Sequence, residues 1–410
     1  MGGWLGDIRG RGAAVVLGGL AAQLALGCLY LGGALAPPLL EELGFSRGDF
    51  STARIPTNAV VALASPAVGA LTYRLGARPV LAASIALLGL VYAGMSALQS
   101  FWQLVALNAA IGVAVAGVGD IAVGSVVARW VERSRGLALG IVYSGSNLGG
   151  GLVSLLAAWI LGFGDWRDAY RWVGLGAVAL LLPAVLAGVR EPPAGFAYPS
   201  RRAAGGVAAA PEPAAGEPEG LPLAAALRTR SFWLLLAALF VFYFYFIGVN
   251  AHMALFFRDV GIPTQTALQS YAAAIALGVV AKLGIGLLAD RWPARAALLL
   301  NFGVVTLASF LLLGIPAPGL RPAFVATHGI ATAAQNVVYP LIVAHCFGVR
   351  HMAQIYGVLM LALLPGGSLG PVFAGYLFDA LGSYEVAFRV FAGLNALALL
   401  ALFAVRREKF

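Results

Sequence analysis

Lysine is rare in this chain. Of 26 lysine and arginine residues only Lys282 and Lys409 are lysine. Lys282 stands inside the apolar run GVVAKLGIGLLADR, Gly278 to Arg291. Asp120 poses the same question with the opposite sign, inside AVAGVGDIAVGSV. An ionisable group in lipid is costly unless it faces a cavity or a partner, so both are candidate functional groups. Lys282 is read as an anion binder, and lysine changes its protonation readily when it loses water. The plainer reading is a structural ion pair with Asp120. Asp120 itself has three readings. It carries a co-transported proton, it recognises an amino group of a zwitterion, or it only pairs with Lys282. In the anion-binding reading of Lys282, Asp120 is its exchangeable counter-ion, traded for a substrate carboxylate.

Other polar groups are scattered through apolar sequence. His252 follows Asn250 by two residues, and it is a candidate for proton coupling beside the plainer reading of a satisfied hydrogen-bonder. His328 and His345 read as satisfied hydrogen-bonders, and His351 falls in a loop. Asn58, Tyr143, Ser146, Asn147, Gln335, Asn336, Tyr339 and Tyr356 are candidate cavity liners that would read a small acid's second oxygen or α-substituent. Each serves equally as glue between helices. The aromatic run FVFYFYF, Phe240 to Phe246, reads as packing or lipid contact rather than a cation cage. Cys28 and Cys346 read as small apolar residues. No nucleotide-binding loop, metal-ligand cluster or hydrolytic triad is present, so the sequence predicts no cofactor, no metal and no enzyme. Energy must then come from ion or substrate gradients.

The elements that position these groups follow from composition. The chain of 410 residues is 61% hydrophobic and 10% charged, with a mean hydropathy of +0.89. Its apolar runs reach about 20 residues, enough for a roughly 30 Å hydrocarbon layer. They do not alternate, so they are helices and not barrel strands. The limits predict twelve spans: 13–36, 54–74, 80–98, 102–128, 137–162 and 170–189, then 232–257, 265–289, 296–315, 321–347, 353–381 and 384–405. Residues 1–189 and 232–410 form two six-helix bundles. The Pro/Gly/Ala-rich stretch 190–231 between them reads as a cytoplasmic linker with a short amphipathic piece at Leu221 to Thr229. The glycines of SGSNLGGG (Ser144 to Gly151) and the PGGSLGP segment (Pro365 to Pro371) are expected to loosen spans five and eleven. Eighteen strong bases fall on the side of the termini and seven on the other, which places both termini in the cytoplasm. The net charge of +9 is explained by that bias, without nucleic acid.

The two halves repeat. GALTYRLGARPVL from Gly69 mirrors GLLADRWPARAAL from Gly286, and RWVERSRGLALG mirrors CFGVRHMAQIYG at the same offset of 217 residues. Such internal symmetry is a transporter pattern, with the binding site at mid-membrane between the halves. Lys282 and Asp120 each lie about 12–13 Å along a helix from the cytoplasmic end, so they share a depth.

In these residues the chain resembles the major facilitator superfamily. The loop signature of that family is matched by Gly286, Asp290 and Arg291. The first copy keeps Gly69, Arg74 and Arg78 but has Tyr73 in place of the aspartate. ARWVERSRGLALGIVYSGSNLGG, NAHMALFFRDVGIP and YGVLMLALLPGGSLGPVFAGYLFD further resemble the monocarboxylate transporters and oxalate:formate antiporters. The resemblance implies an all-α fold of twelve transmembrane helices in two pseudo-symmetric halves, in the plasma (bacterial inner) membrane, working as a monomer. It implies a secondary transporter of a small organic anion, by proton symport or by exchange. It places Lys282 where that branch carries a substrate-clamping arginine. The second cation of the oxalate antiporters would fall near Leu363, so one cation is left for one carboxylate. The alternative in the same fold is a carrier of zwitterionic or cationic compounds, drug efflux included, recognised through Asp120.

Overall fold

The computed structural model describes residues 10–131, 135–192, 220–288, 293–315, 317, 319–348 and 352–408. For residues 66, 73, 121, 128, 135, 136, 285–288, 336, 337, 352 and 353 it describes the backbone alone. Among the described residues every regular element is a helix. The first half contains α1 (Arg11–Gly27), α2 (Arg47–Thr52), α3 (Ile55–Leu75), α4 (Ala77–Met95), α5 (Phe101–Val118), α6 (Asp120–Trp130), α7 (Arg135–Ile160) and α8 (Trp166–Gly176). The second contains α9 (Arg230–Asp259), α10 (Thr264–Leu288), α11 (Ala294–Leu313), α12 (Leu320–Phe347), α13 (Met352–Leu359), α14 (Leu363–Leu381) and α15 (Glu385–Leu402).

These helices correspond to the twelve expected spans. Among the described residues ten segments are long and apolar enough to cross a membrane, and α12 adds an eleventh as a pair bent by 43°. The remaining one, α3, has 21 residues, or about 31 Å of helix. The reason for an all-helical solution is hydrogen bonding. In lipid every backbone N–H and C=O must be satisfied within its own segment. One buried core draws mainly on residues between Val15 and Val189, and another mainly on residues between Ala226 and Val405. Phe242, Tyr243, Phe244 and Tyr245 belong to the second core, so the aromatic run packs protein.

Two expectations about helix breaks are corrected, and one break was not anticipated. The unanticipated break lies in span four, whose helix is cut at Gly119, where a ψ of −179° is extended. Asp120 is thereby the first residue of a new helix. Span five was expected to loosen at its glycines, yet α7 runs unbroken through them. The glycines serve approach instead: a β-carbon on Gly149 would stand 2.3 Å from the Leu24 carbonyl oxygen, and one on Gly27 2.5 Å from the Gly150 nitrogen. In span eleven the irregularity is a 3₁₀ turn at Met360–Ala362, before the PGGSLGP segment, while Pro371 sits inside α14.

The end opposite the termini is closed between the halves. Asp379, near the end of α14, accepts from the backbone nitrogens of Arg47 (3.1 Å) and Gly48 (2.7 Å) at the start of α2. The Arg47 guanidinium grips Asp259 of α9 with both terminal nitrogens, at 2.5 and 2.8 Å. It also donates to the Tyr384 hydroxyl (2.7 Å) and lies 3.6 Å over the Phe378 ring. Arg258 reaches Glu41 across the same seam at 3.2 Å. A cavity of about 410 Å³ lies beside this lock and is lined in part by Glu41, Arg47, Arg258 and Asp259.

Candidate functional site

The Gly119 break builds one side of the site. It ends α5 and aims Asp120 from the N-terminus of α6, where the helix dipole favours a carboxylate. The side chain accepts a hydrogen bond from Gln23 Nε2 of α1 at 3.0 Å. Gln23 is fully buried, whereas Asp120 is exposed. Asp120 therefore faces an internal space that solvent reaches.

Lys282 of α10 faces the same region from the other half and is 7% exposed. Its ammonium donates to the Tyr143 carbonyl (3.0 Å) and to Ser146 Oγ (3.1 Å), both on α7. Tyr143 links the two residues: its hydroxyl donates to the Asp120 backbone carbonyl at 3.3 Å. No ion pair within 4.0 Å links Lys282 to Asp120, yet each senses the other's charge. The structural ion-pair reading is thus not the geometry found. An ammonium has three donors, and two neutral acceptors leave both a donor and the charge available.

The other predicted residues separate into those near this centre and those elsewhere. Tyr356 of α13 senses the Asp120 charge, as does Tyr243 of α9. Asn147 is buried and donates to the Ile275 carbonyl across the halves at 3.1 Å; it fills the space left by Gly278. Asn250 donates to the Phe246 carbonyl (2.8 Å) and meets His328 Nε2 (3.3 Å). Tyr339 is buried and donates to the Leu235 carbonyl at 2.7 Å, inside the second core. Asn336 lies on α12, with its side chain outside the described set. Of the loop signatures, Gly69 and Arg74 lie on α3, Arg78 on α4 and Gly286 on α10. Asp290 and Arg291, with His351, fall outside the described residues.

His252 is placed at the closed end, away from Lys282. It is fully buried and meets three groups with two nitrogens. Nε2 lies 2.9 Å from the Pro371 carbonyl, which only accepts, so Nε2 carries the proton. Ser51 Oγ is 3.1 Å from the same nitrogen and donates its own proton to the Arg47 carbonyl. Nδ1 is then the acceptor for the Tyr384 hydroxyl at 2.9 Å, and Tyr384 in turn accepts from Arg47. The chain of bonds fits a neutral imidazole and ties α9 to the lock.

Two contributors were not anticipated. Gln23 is a lone amide in the apolar sequence GGLAAQLALG, and that isolation was a usable signal. Glu191 accepts from the Ala77 nitrogen at 2.8 Å and pairs with Arg129 at 2.8 Å. It anchors the first signature loop, where Tyr73 replaces the aspartate.

Comparison with known proteins agrees with this architecture. The Major Facilitator Superfamily profile matches residues 15–327. Monocarboxylate transporter 11 of Homo sapiens is 29% identical over 389 residues, covering 89% of this chain and 76% of that protein. A gallate transporter of Pseudomonas putida is 26% identical over 149 residues, 36% of this chain and 33% of that one. Among solved structures, an inward-facing, unoccupied bacterial homolog of the human lysosomal transporter Spinster superposes with a TM-score of 0.72. It is 18% identical and covers 98% of this chain and 99% of its own, a likeness of fold.

Proposed function

The chain belongs to the major facilitator superfamily and is a membrane transporter, not an enzyme; on that premise we propose that it carries a small monocarboxylate. The observation that carries the proposal is the state of Lys282. It is nearly buried between the halves, bonded only to neutral oxygens, with no counter-ion in contact. Such a charge is stabilised by an anion, and one ammonium matches one carboxylate. Tyr143 and Ser146 at the same spot, with Tyr243 and Tyr356 nearby, supply polar groups for the rest of a small acid. The relatives named for monocarboxylate and gallate point to the same cargo class.

Asp120 supplies the coupling. While it is charged, it offsets Lys282 across the space between them. Once it binds a proton, that offset is gone and the substrate carboxylate takes its place. Acid and proton then move together, with no net change in the charge of the site. With Asp120 neutralised permanently, the same cycle exchanges one acid for another. A second reading rests on the exposure of Asp120, which holds a single hydrogen bond and would accept an amino group.

The bundles, residues 1–189 and 232–410, rock about this site, with 190–231 linking them in the cytoplasm. Both termini face the cytoplasm of a plasma (bacterial inner) membrane, and the Arg47 lock closes the external end. The site is complete in one chain, so a monomer suffices.

Reconstituted liposomes with an inward proton gradient test the proposal. Labelled lactate is expected to accumulate, and labelled amino acids are not. Amino-acid accumulation without acid uptake would establish the second reading and overturn the first.

A further inference from the structure

Arg54 stands at the head of α3, in the half of the molecule that closes the far end. It forms no ion pair and its guanidinium makes no hydrogen bond among the described residues. Its Nη1 is sealed from solvent with no partner. Its Cζ lies 5.6 Å over the Phe50 ring, and among the described residues no carboxylate pairs with it. A guanidinium always carries its proton and offers five donors, so burial without an acceptor is an unmet demand.

A second donor points at the same place. Tyr170 is 1% exposed and its hydroxyl has no hydrogen-bond partner among the described residues. A β-carbon on Gly32 would stand 3.8 Å from that hydroxyl and 3.9 Å from Arg54 Cζ and Nη2, so the missing side chain leaves room where the two donors converge. Both line a cavity of about 30 Å³ together with Thr57, Asn108 and Tyr92. The hydroxyl protons on that wall are in use. Thr57 donates to the Asn108 backbone carbonyl (2.9 Å) and side-chain oxygen (3.2 Å), and Tyr92 donates to the Cys28 carbonyl (2.6 Å). Thr57 and Tyr92 thus turn their protons away from the cavity, and among its described lining residues the Arg54 charge has no carboxylate counter-charge. The cavity volume admits one or two water-sized groups, which is the size of a carboxylate head or a halide.

We propose that Arg54 and Tyr170 form a second anion site, distinct from Lys282, that takes a small monovalent anion: a carboxylate or chloride. The site lies wholly within the first half, so it is present whichever way the halves are tilted. It goes beyond the transport reading and does not depend on what Lys282 binds.

The test is thermal unfolding of the purified full chain in detergent, on the Lys282→Ala background so that the central cation is absent. Sodium formate and sodium chloride are each titrated against sodium gluconate, whose anion is too large for the cavity. The unfolding midpoint is expected to rise with at least one of the small anions, because a ligand of the folded state stabilises it by mass action. Formate alone identifies a carboxylate site, and chloride alone a halide site; either supports the proposal. The rise is lost in Arg54→Gln and retained, at higher anion concentration, in Arg54→Lys. Should Arg54→Gln not fold, Tyr170→Phe takes its place and is expected to shift the titration to higher concentration. No anion-dependent rise in Lys282→Ala, or an unchanged rise in Arg54→Gln or Tyr170→Phe, overturns it.

Discussion

At the scale of single residues, the account rests on charges that lipid does not tolerate idle. In the proposed role Lys282 offers a carboxylate a point charge, not the planar fork of an arginine. Lys282→Arg is therefore expected to keep acid uptake while changing the preference among acids, measured as competition between lactate and larger monocarboxylates. Asp120→Asn is expected to abolish gradient-driven accumulation and to leave acid-for-acid exchange, measured in liposomes preloaded with unlabelled acid. Equal loss of both activities would remove the proton role. Lys282 and Asp120 were readable in the sequence because each interrupts an apolar run, and the equal depth assigned by helix rise agrees with Tyr143 touching both. Arg54 was not readable as a site residue. Sequence places it beside a span end, where arginine is ordinary, and only the fold shows that its buried Nη1 has no hydrogen-bond partner among the described residues.

At the scale of elements, the helices were legible and their interruptions were not. Apolar length fixes where a span lies, since lipid allows few other structures. A break depends on what packs against it. Gly119 looks like any other glycine of its helix, but it alone turns the chain and presents Asp120 at a helix start. The glycines of α7 look like breakers but act as a groove for α1. Gly149→Val is accordingly expected to force α1 away from α7, at a cost of about 1–3 kcal/mol. A melting curve in detergent checks this, and an unchanged midpoint would contradict the tight packing. The substitution should also reduce transport, because Gln23 rides on α1 and holds Asp120.

At the scale of the whole molecule, two halves meet over a charge site and are locked at one end. The lock is a set of polar contacts that solvent can replace, so it is suited to breaking in each cycle. Arg47 carries most of it through Asp259, Tyr384 and the Phe378 ring. Arg47→Ala is expected to open the far end, read as faster thiol labelling of a Ser51→Cys reporter by an impermeant reagent. Unchanged labelling would mean that other contacts hold the closure. The sequence carried the twofold repeat at an offset of 217 residues, but not the lock, whose partners Arg47 and Asp379 are 332 residues apart. Pairings at that separation leave no local pattern. The central claim remains that Lys282 receives the carboxylate. Equilibrium binding of labelled lactate to the purified chain, by scintillation proximity, tests it most directly. The account predicts binding to the wild type that is at least about tenfold weaker in Lys282→Ala, a loss of about 1.4 kcal/mol or more. Lactate binding to Lys282→Ala with wild-type affinity would contradict it.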